Sequence, residues 1–222
     1  MARDVSVNQR EVSMKYYALS QKKAPGCPIG MLGGALYDKY YPDVKAIEVG
    51  YFPWYANPSR GKAHEKFPPG LVFISKDGGY NFDIRGDLNF YYIISDKFKS
   101  LISRFEVEAV DVTPISICSQ AGEKISEKHY YAAVFQSFSP EMVSDDGESQ
   151  FVRGKFGGIS RIKRLVVRED FSCHIFKLND MEGSSNTLIC SEQFRDAAME
   201  IGIEGVDFLD AAAIDWPTVK PI

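Results

Sequence analysis

The clearest pattern of hydrophobic and polar positions lies between residues 90 and 112. β-Branched and aromatic residues fill positions 90–94, which is typical of a strand. Ser95 and Asp96 follow, and a serine before an acidic first turn is typical of a helix start. Apolar residues then recur at the i, i+3, i+4, i+7 spacing of one helix face: Phe98, Leu101, Ile102 and Phe105. Residues 107–112 predict a second strand.

The same pattern returns over residues 187–208. A short apolar run is followed by Ser191 and Glu192, and Gly202 predicts the end of the helix. The apolar face is formed by Phe194, Ala197, Ala198 and Ile201. The two segments align without a gap, with Ser95 opposite Ser191. We interpret them as two similar strand–helix–strand units that arose by internal duplication, although any capped helix between two strands gives a comparable pattern.

The remaining pattern predicts an α+β fold with mixed β-sheets and few helices. Further strands are expected at 14–20, 71–74, 130–138 and 162–167, and an acidic exposed loop at 139–150. Residues 1–66 are rich in Tyr and Pro, and we expect them to pack on a main body formed by residues 67–222. Met14 is an alternative natural start, because the residues before it are polar and aperiodic.

Composition and charge exclude several classes of protein. The 222 residues are 45% hydrophobic and 25% charged, as in a folded domain rather than a disordered chain. The net charge of −4 does not favour a dedicated nucleic-acid binder. The sequence has neither a long apolar run nor a secretory signal, and its four cysteines are scattered. We therefore expect a cytoplasmic protein with reduced thiols.

The candidate chemistry is sparse. The histidines at 64, 129 and 174 are far apart, so we expect no metal site, and no phosphate-binding loop predicts a cofactor. Cys118 and Cys190 are expected in the core, whereas Cys27 lies between Gly26 and Pro28 and is expected to be exposed. A catalytic Cys–His pair assembled from distant residues remains an alternative.

Charged residues allow two interpretations. The recurring acids form either a carboxylate site or the solvent face of two strands: Glu108, Asp111, Glu204 and Asp207. The basic residues of 153–168 either contact nucleic acid or form a solvated face that balances the acidic segments.

Several motifs together resemble one known family. They are residues 68–73, 94–102, 107–112, 130–131, 162–167, 174–178 and 190–208, which extend over roughly 67–210. This arrangement resembles the immunity proteins of bacterial polymorphic toxin systems, a family first catalogued as a domain of unknown function.

The resemblance implies a cytoplasmic bacterial protein that neutralises a cognate toxin by non-catalytic, stoichiometric binding. It implies no shared catalytic residue, no cofactor, no membrane contact and no direct contact with nucleic acid. Complementary charge favours an acidic loop as the contact, so the expected binding residues are Glu141, Asp145, Asp146 and Glu148. The alternatives are a hydrolase-type enzyme, or a structural or regulatory binding module. The oligomeric state stays open.

Overall fold

The computed structural model describes residues 14–47, 64–87, 91–145, 147–155, 157–179, 181 and 188–215. The strands of these residues are β1 (Tyr16–Gln21), β2 (Gly34–Tyr37), β3 (Leu71–Ser75), β4 (Ile84–Asp87), β5 (Tyr91–Ser95), β6 (Asp111–Ser119), β7 (Tyr130–Val134), β8 (Ser137–Phe138), β9 (Gln150–Arg153), β10 (Ile159–Arg164), β11 (Ile175–Leu178), β12 (Leu188–Ser191) and β13 (Val206–Asp210). The α-helices are α1 (Asp96–Arg104), α2 (Pro140–Val143) and α3 (Glu192–Glu200). A 3₁₀ turn spans Val44–Ala46.

The strands form two mixed sheets and a separate hairpin. One sheet has six strands in the order β2-β3-β6-β7-β5-β4, and the other has five in the order β13-β1-β12-β11-β8. β9 and β10 form the hairpin. The pairs β3–β6 and β8–β11 are parallel and the other pairs are antiparallel. The prediction of an α+β fold with mixed sheets and few helices is therefore confirmed.

The faces of the two main sheets border three hydrophobic cores. Successive side chains of a strand point to opposite faces, so Tyr92 and Ile94 of β5 enter a central core, which also contains Leu19 of β1. Tyr91 and Ile93 point to the other face of the six-stranded sheet, into a loop-covered core. On the outer face of the five-stranded sheet, a hairpin-covered core contains the following buried residues: Tyr16, Ala18, Ile159, Ile162 and Ile189.

The two longer helices, α1 and α3, complete the central core. Their aromatic rings meet there, with centroids 5.8 Å apart for Phe98 and Phe194 and 5.2 Å apart for Phe105 and Phe194. Phe98 and Phe194 have no exposed surface. Complete burial of each such ring contributes roughly 1.5–3 kcal/mol to folding. The apolar helix faces predicted from the sequence therefore join the two sheets, except for Ile201, which follows α3 and is 37% exposed.

Matching contacts surround α1 and α3. The hydroxyl of Ser95 accepts from Phe98 N at 3.2 Å, and the hydroxyl of Ser191 accepts from Phe194 N at 3.3 Å. The strands that flank α1 are separated by the antiparallel β7, and those that flank α3 are separated by the antiparallel β1. That the two units arose by duplication stays a prediction.

The second strand of each unit begins later than the sequence pattern suggested. β6 starts at Asp111 rather than 107, and β13 starts at Val206 rather than 203. Both helices end in a left-handed residue, Glu106 with φ 51° and Gly202 with φ 67°. Val107 N then donates to Ile102 O, and Ile203 N to Ala198 O, both at 3.0 Å. These bonds form a Schellman motif at the end of each helix. Val107 and Ile203, which were expected to begin the strands, belong to these motifs, so β6 and β13 start later.

Two other local predictions need correction. The expected exposed loop at 139–150 contains the short helix α2, and its residues Val143 and Ser144 are buried. A proline in the first turn favours that helix, because its missing N–H has no partner there in any case. The expected strand 130–138 is divided into β7 and β8. Among the described helices, none is long and apolar enough to cross a membrane.

Candidate functional site

The expected binding loop lies on a surface formed by α2, the turn 144–149 and the hairpin β9–β10. We call this region the hairpin surface. Its inner side packs on the five-stranded sheet through Val143, Ile159 and Ile162, none of which is exposed. Because these residues anchor both α2 and β10, the charged residues between them are displayed on a packed base.

Two of the predicted acids form ion pairs with the hairpin. Glu141 Oε1 lies 2.8 Å from Arg153, and Glu148 Oε2 lies 3.0 Å from Arg164. All four side chains are at least 40% exposed, so water and salt screen these pairs. The pairs therefore orient the carboxylates more than they stabilise the fold.

Asp145 has a different environment, and Asp146 lies outside the described residues. The carboxylate of Asp145 accepts from Gly147 N at 2.8 Å, which forms a local turn. Its backbone N donates to Val166 O, also at 2.8 Å. The backbone around this exposed carboxylate is thus fixed at both ends.

The four arginines of 153–168 are all paired with acids. Arg161 Nε donates to Asp215 at 2.6 Å, and Arg168 Nε donates to Asp170 at 2.8 Å. Hydrogen bonds from these two arginines lower the pKa of Asp215 and of Asp170. The hairpin surface consequently carries positive and negative charges side by side rather than one acidic block.

Exposed apolar side chains lie among these charges. Met142 of α2 is 61% exposed, and Val152 of β9 is 37% exposed and opposite Arg161 in the hairpin. Met and Arg are enriched at protein–protein interfaces relative to the rest of the surface. This composition suits recognition of another protein better than binding of a small molecule.

A buried ionic cluster around Asp83 was not among the sites expected from the sequence. Its carboxylate accepts from Ser95 Oγ at 2.6 Å, from Lys128 Nζ at 2.8 Å and from Glu204 N at 2.8 Å. Lys128 also pairs with the Glu204 carboxylate at 2.8 Å. An acid between the apolar Phe82 and Ile84 was the available signal for a buried charge.

The recurring acids do not share one environment. Asp111 accepts from His64 Nε2 at 2.9 Å and from Phe67 N at 2.6 Å, while Asp207 pairs with Lys22 at 3.2 Å. Glu108 is exposed and Glu204 belongs to the cluster around Asp83. The four acids therefore have separate partners or face solvent.

Histidines and cysteines are similarly dispersed. His174 Nδ1 lies 2.8 Å from Ser191 Oγ, and His129 Nδ1 lies 3.7 Å from Asp96. The expectation of an exposed Cys27 is wrong, because its loop folds over the loop-covered core and leaves the thiol 1% exposed. Burial also raises the pKa of this thiol. Within the described ranges, no group of three or more His, Cys, Asp or Glu residues is arranged to hold a metal ion.

The described surface has two notable depressions. One, of about 550 Å³, lies between Lys66, the end of α1 and residues 107–112. The other, of about 420 Å³, follows β6 and is bordered by Lys124 and His129. Neither contains the expected acids of the hairpin surface.

Comparison with known proteins identifies one family. The model of the immunity protein family Imm11 matches residues 33–213. The match includes the hairpin surface, both long helices and all strands from β2 to β13. The sequence matches none of the curated proteins.

Proposed function

Because the chain belongs to the Imm11 immunity protein family, we propose that it neutralises a cognate bacterial toxin by binding it stoichiometrically and without catalysis. Complementary surfaces and exclusion of the toxin's substrate are sufficient for such inhibition. Its place of action would be the cytoplasm of the producing cell.

The hairpin surface is the observation that supports a protein partner. Its carboxylates and guanidinium groups are held in pairs on a packed base, next to the exposed Met142 and Val152. Preorganised charges cost less side-chain entropy on association than mobile ones. We therefore propose this surface as the contact region for the toxin.

Within that region, we propose that Glu141, Asp145, Asp146 and Glu148 contact basic groups of the toxin. A partner that offers Lys or Arg to Glu141 would compete with Arg153 for the carboxylate, or would join it in a network. Charge placed in this way would speed association and fix the register of the two surfaces.

Two further aspects of the chain remain proposals. We propose that residues 1–66 form an N-terminal segment packed on the main body of residues 67–222, to which it contributes β1 of the five-stranded sheet and β2 of the six-stranded sheet. We also propose that the units around α1 and α3 derive from a duplication. The matched helix caps support this proposal. So do two matched cation–tyrosine contacts: Lys99 lies 4.0 Å from the ring centre of Tyr131, and Arg195 lies 4.0 Å from that of Tyr17.

Affinity capture followed by a protection assay tests the function. The tagged full-length chain is used as bait in its native host, and bound proteins are identified by mass spectrometry. A recovered toxin domain is then expressed in a susceptible bacterium with and without this chain. We expect survival only in the presence of this chain, and a 1:1 complex of the purified proteins.

Two results would contradict the proposal. One is a recovered toxin that kills equally in both strains. The other is protection that needs far less than one molecule of this chain per toxin, because that stoichiometry would indicate catalysis.

A further inference from the structure

Arg85 of β4 is buried in an unusual way. None of its side chain is exposed. Its three guanidinium nitrogens, Nε, Nη1 and Nη2, are buried and have no hydrogen-bond partner among the residues that the structure describes. The guanidinium carbon lies 5.8 Å from the ring centre of Phe82, which contacts the cation without accepting its N–H groups.

The register of β4 places this side chain in the loop-covered core. Arg85 is directly opposite Ile93 of β5, and opposed residues of an antiparallel pair project from the same face. Ile93 belongs to the loop-covered core together with Cys27 and Leu32. The loop 24–33 therefore covers the face on which Arg85 lies.

The five-stranded sheet shows that this position does not need a cation. Phe176 of β11 is opposite Ile189 of β12, just as Arg85 is opposite Ile93. Phe176 is fully buried and packs against the rings of Tyr16, Phe138 and Phe171. An apolar side chain thus fills the position of the five-stranded sheet that matches Arg85 in register.

A buried guanidinium without a partner is unfavourable. The group stays protonated in proteins, and its five N–H donors lose water on burial. An uncompensated buried ion costs several kcal/mol, and a hydrogen-bonded anion offsets that cost. The planar fork of the guanidinium matches two oxygens of a carboxylate or a phosphate.

We propose that Arg85 is the cationic ligand of a site for a small oxyanion, beneath the loop 24–33. The ligand class is inorganic phosphate or a small carboxylate, either of which accepts two parallel N–H bonds. The site is separate from the hairpin surface and does not depend on the proposed toxin. Cys27 and Leu32 form part of its cover, so the anion enters when this loop opens.

Thermal unfolding of the full-length chain tests the site. The wild type is titrated with sodium phosphate and, separately, with sodium acetate, against sodium chloride at equal ionic strength. A ligand that binds only the folded state raises Tm in a saturable way, here by about 2–6 °C at saturation. Phosphate and acetate are the two arms, and the stronger response identifies the class of ligand.

The substitution Arg85→Met removes the cation and keeps an apolar side chain of similar length. We expect it to raise Tm in chloride and to abolish the response to phosphate and acetate. Arg104→Met is the matched control, because Arg104 is exposed on α1 and its loss leaves the buried site unchanged. The control should respond to the anions as the wild type does.

Three outcomes would overturn the proposal. A wild type that responds to neither anion beyond chloride has no such site. A response that persists in Arg85→Met belongs to another part of the surface. If Arg85→Met does not fold, Arg85→Lys replaces it, because lysine keeps the charge without the planar fork. If the Tm of Arg85→Lys then reaches half of its full increase at the same anion concentration as that of the wild type, paired N–H binding is contradicted.

Discussion

Lys177 carries a titratable amine within β11, a largely buried strand of the five-stranded sheet. Burial lowers the pKa of its amine to about 8, from 10.5. Between these two values the unfolded chain binds more protons than the folded one, so this group makes stability rise with pH. Below pH 8 the folded state carries the full cost of the buried charge.

We therefore expect Lys177→Met to be more stable than the wild type at pH 7, by about 1–2 kcal/mol. The advantage should shrink as pH rises from 8 to 10, because the wild type then loses the buried charge. Urea unfolding of both proteins at pH 7, 8, 9 and 10 measures the difference. Lys163→Met, at an exposed position of β10, is the control, and an advantage independent of pH would contradict the assignment.

Asp83 shows the opposite balance. Burial alone raises the pKa of its carboxyl group, but hydrogen bonds from Lys128, Ser95 and the backbone of Glu204 outweigh burial and hold the pKa below its ordinary value. The stabilisation is present above the pKa of the unfolded chain and is lost as pH falls through the folded-state pKa. Asp83 therefore contributes to stability at neutral pH.

Replacing Asp83 by Asn should destabilise the fold at pH 7 by about 2–4 kcal/mol, because Lys128 loses its buried partner. The difference from the wild type should decrease once pH falls below the ordinary carboxyl pKa of 3.8, because the unfolded wild type then takes up a proton that the folded state resists. Chemical denaturation at pH 7, 5 and 3 measures it. Equal differences at all three values would show that the charge of Asp83 is not responsible.

At the scale of elements, the helix ends offer a matched comparison. Gly202 and Glu106 occupy the same left-handed position of two Schellman motifs. The left-handed conformation costs a side-chain-bearing residue about 1–2 kcal/mol, whereas glycine adopts it freely. The end of α1 thus has a strained residue, Glu106, at the position where the end of α3 has an unstrained glycine.

Gly202→Ala should lower stability by about 1 kcal/mol, since no heavy atom lies near the added Cβ and only the backbone conformation is strained. Glu106→Gly should be neutral or slightly stabilising. Thermal or urea unfolding of the two variants measures both effects. If Gly202→Ala were as stable as the wild type, strain at this position would not limit the helix end.

The sequence predicted elements whose signals are local. The starts of α1 and α3 follow from Ser95 and Ser191, because a cap is formed within four residues. The order of the strands could not be predicted in this way. Tyr17 of β1 bonds with Glu192 of α3 across 175 residues, and no local pattern specifies so distant a partner.

The candidate site was predicted only as a charged loop. Its composition identified Glu141 and Glu148, but their pairing with Arg153 and Arg164 depends on how the hairpin folds against α2. Arg85 and Asp83 escaped notice for a related reason. Charge is visible in a sequence, whereas complete burial is a property of the tertiary structure.

At the scale of the whole molecule, the hairpin surface makes a testable prediction about the proposed toxin. Glu148→Arg removes the partner of Arg164 and reverses the local charge. Exposed pairs contribute only about 0.2–1 kcal/mol to stability, so the fold should be retained. Affinity for the captured toxin, measured by calorimetry, should fall by about tenfold or more if Glu148 meets a basic group.

The control for this variant is Glu123→Arg, which makes the same change at an exposed acid outside the hairpin surface. Both variants alter the net charge equally, so any difference between them reflects position. Equal affinity for wild type and Glu148→Arg would remove Glu148 from the contact. An equal loss in both variants would indicate long-range attraction instead of a local contact.

The position of β1 between two late strands has a consequence for synthesis on the ribosome. β1 lies between β12 and β13, so the first of the described strands needs the last two as its partners. At about 5–20 residues per second, the 175 residues between Tyr17 and Glu192 take roughly 10–35 s to translate. Until then β1 has neither of its two neighbouring strands in place. A nascent chain is therefore exposed to proteases and aggregation until β12 and β13 have been made, and one interrupted before them never acquires this sheet.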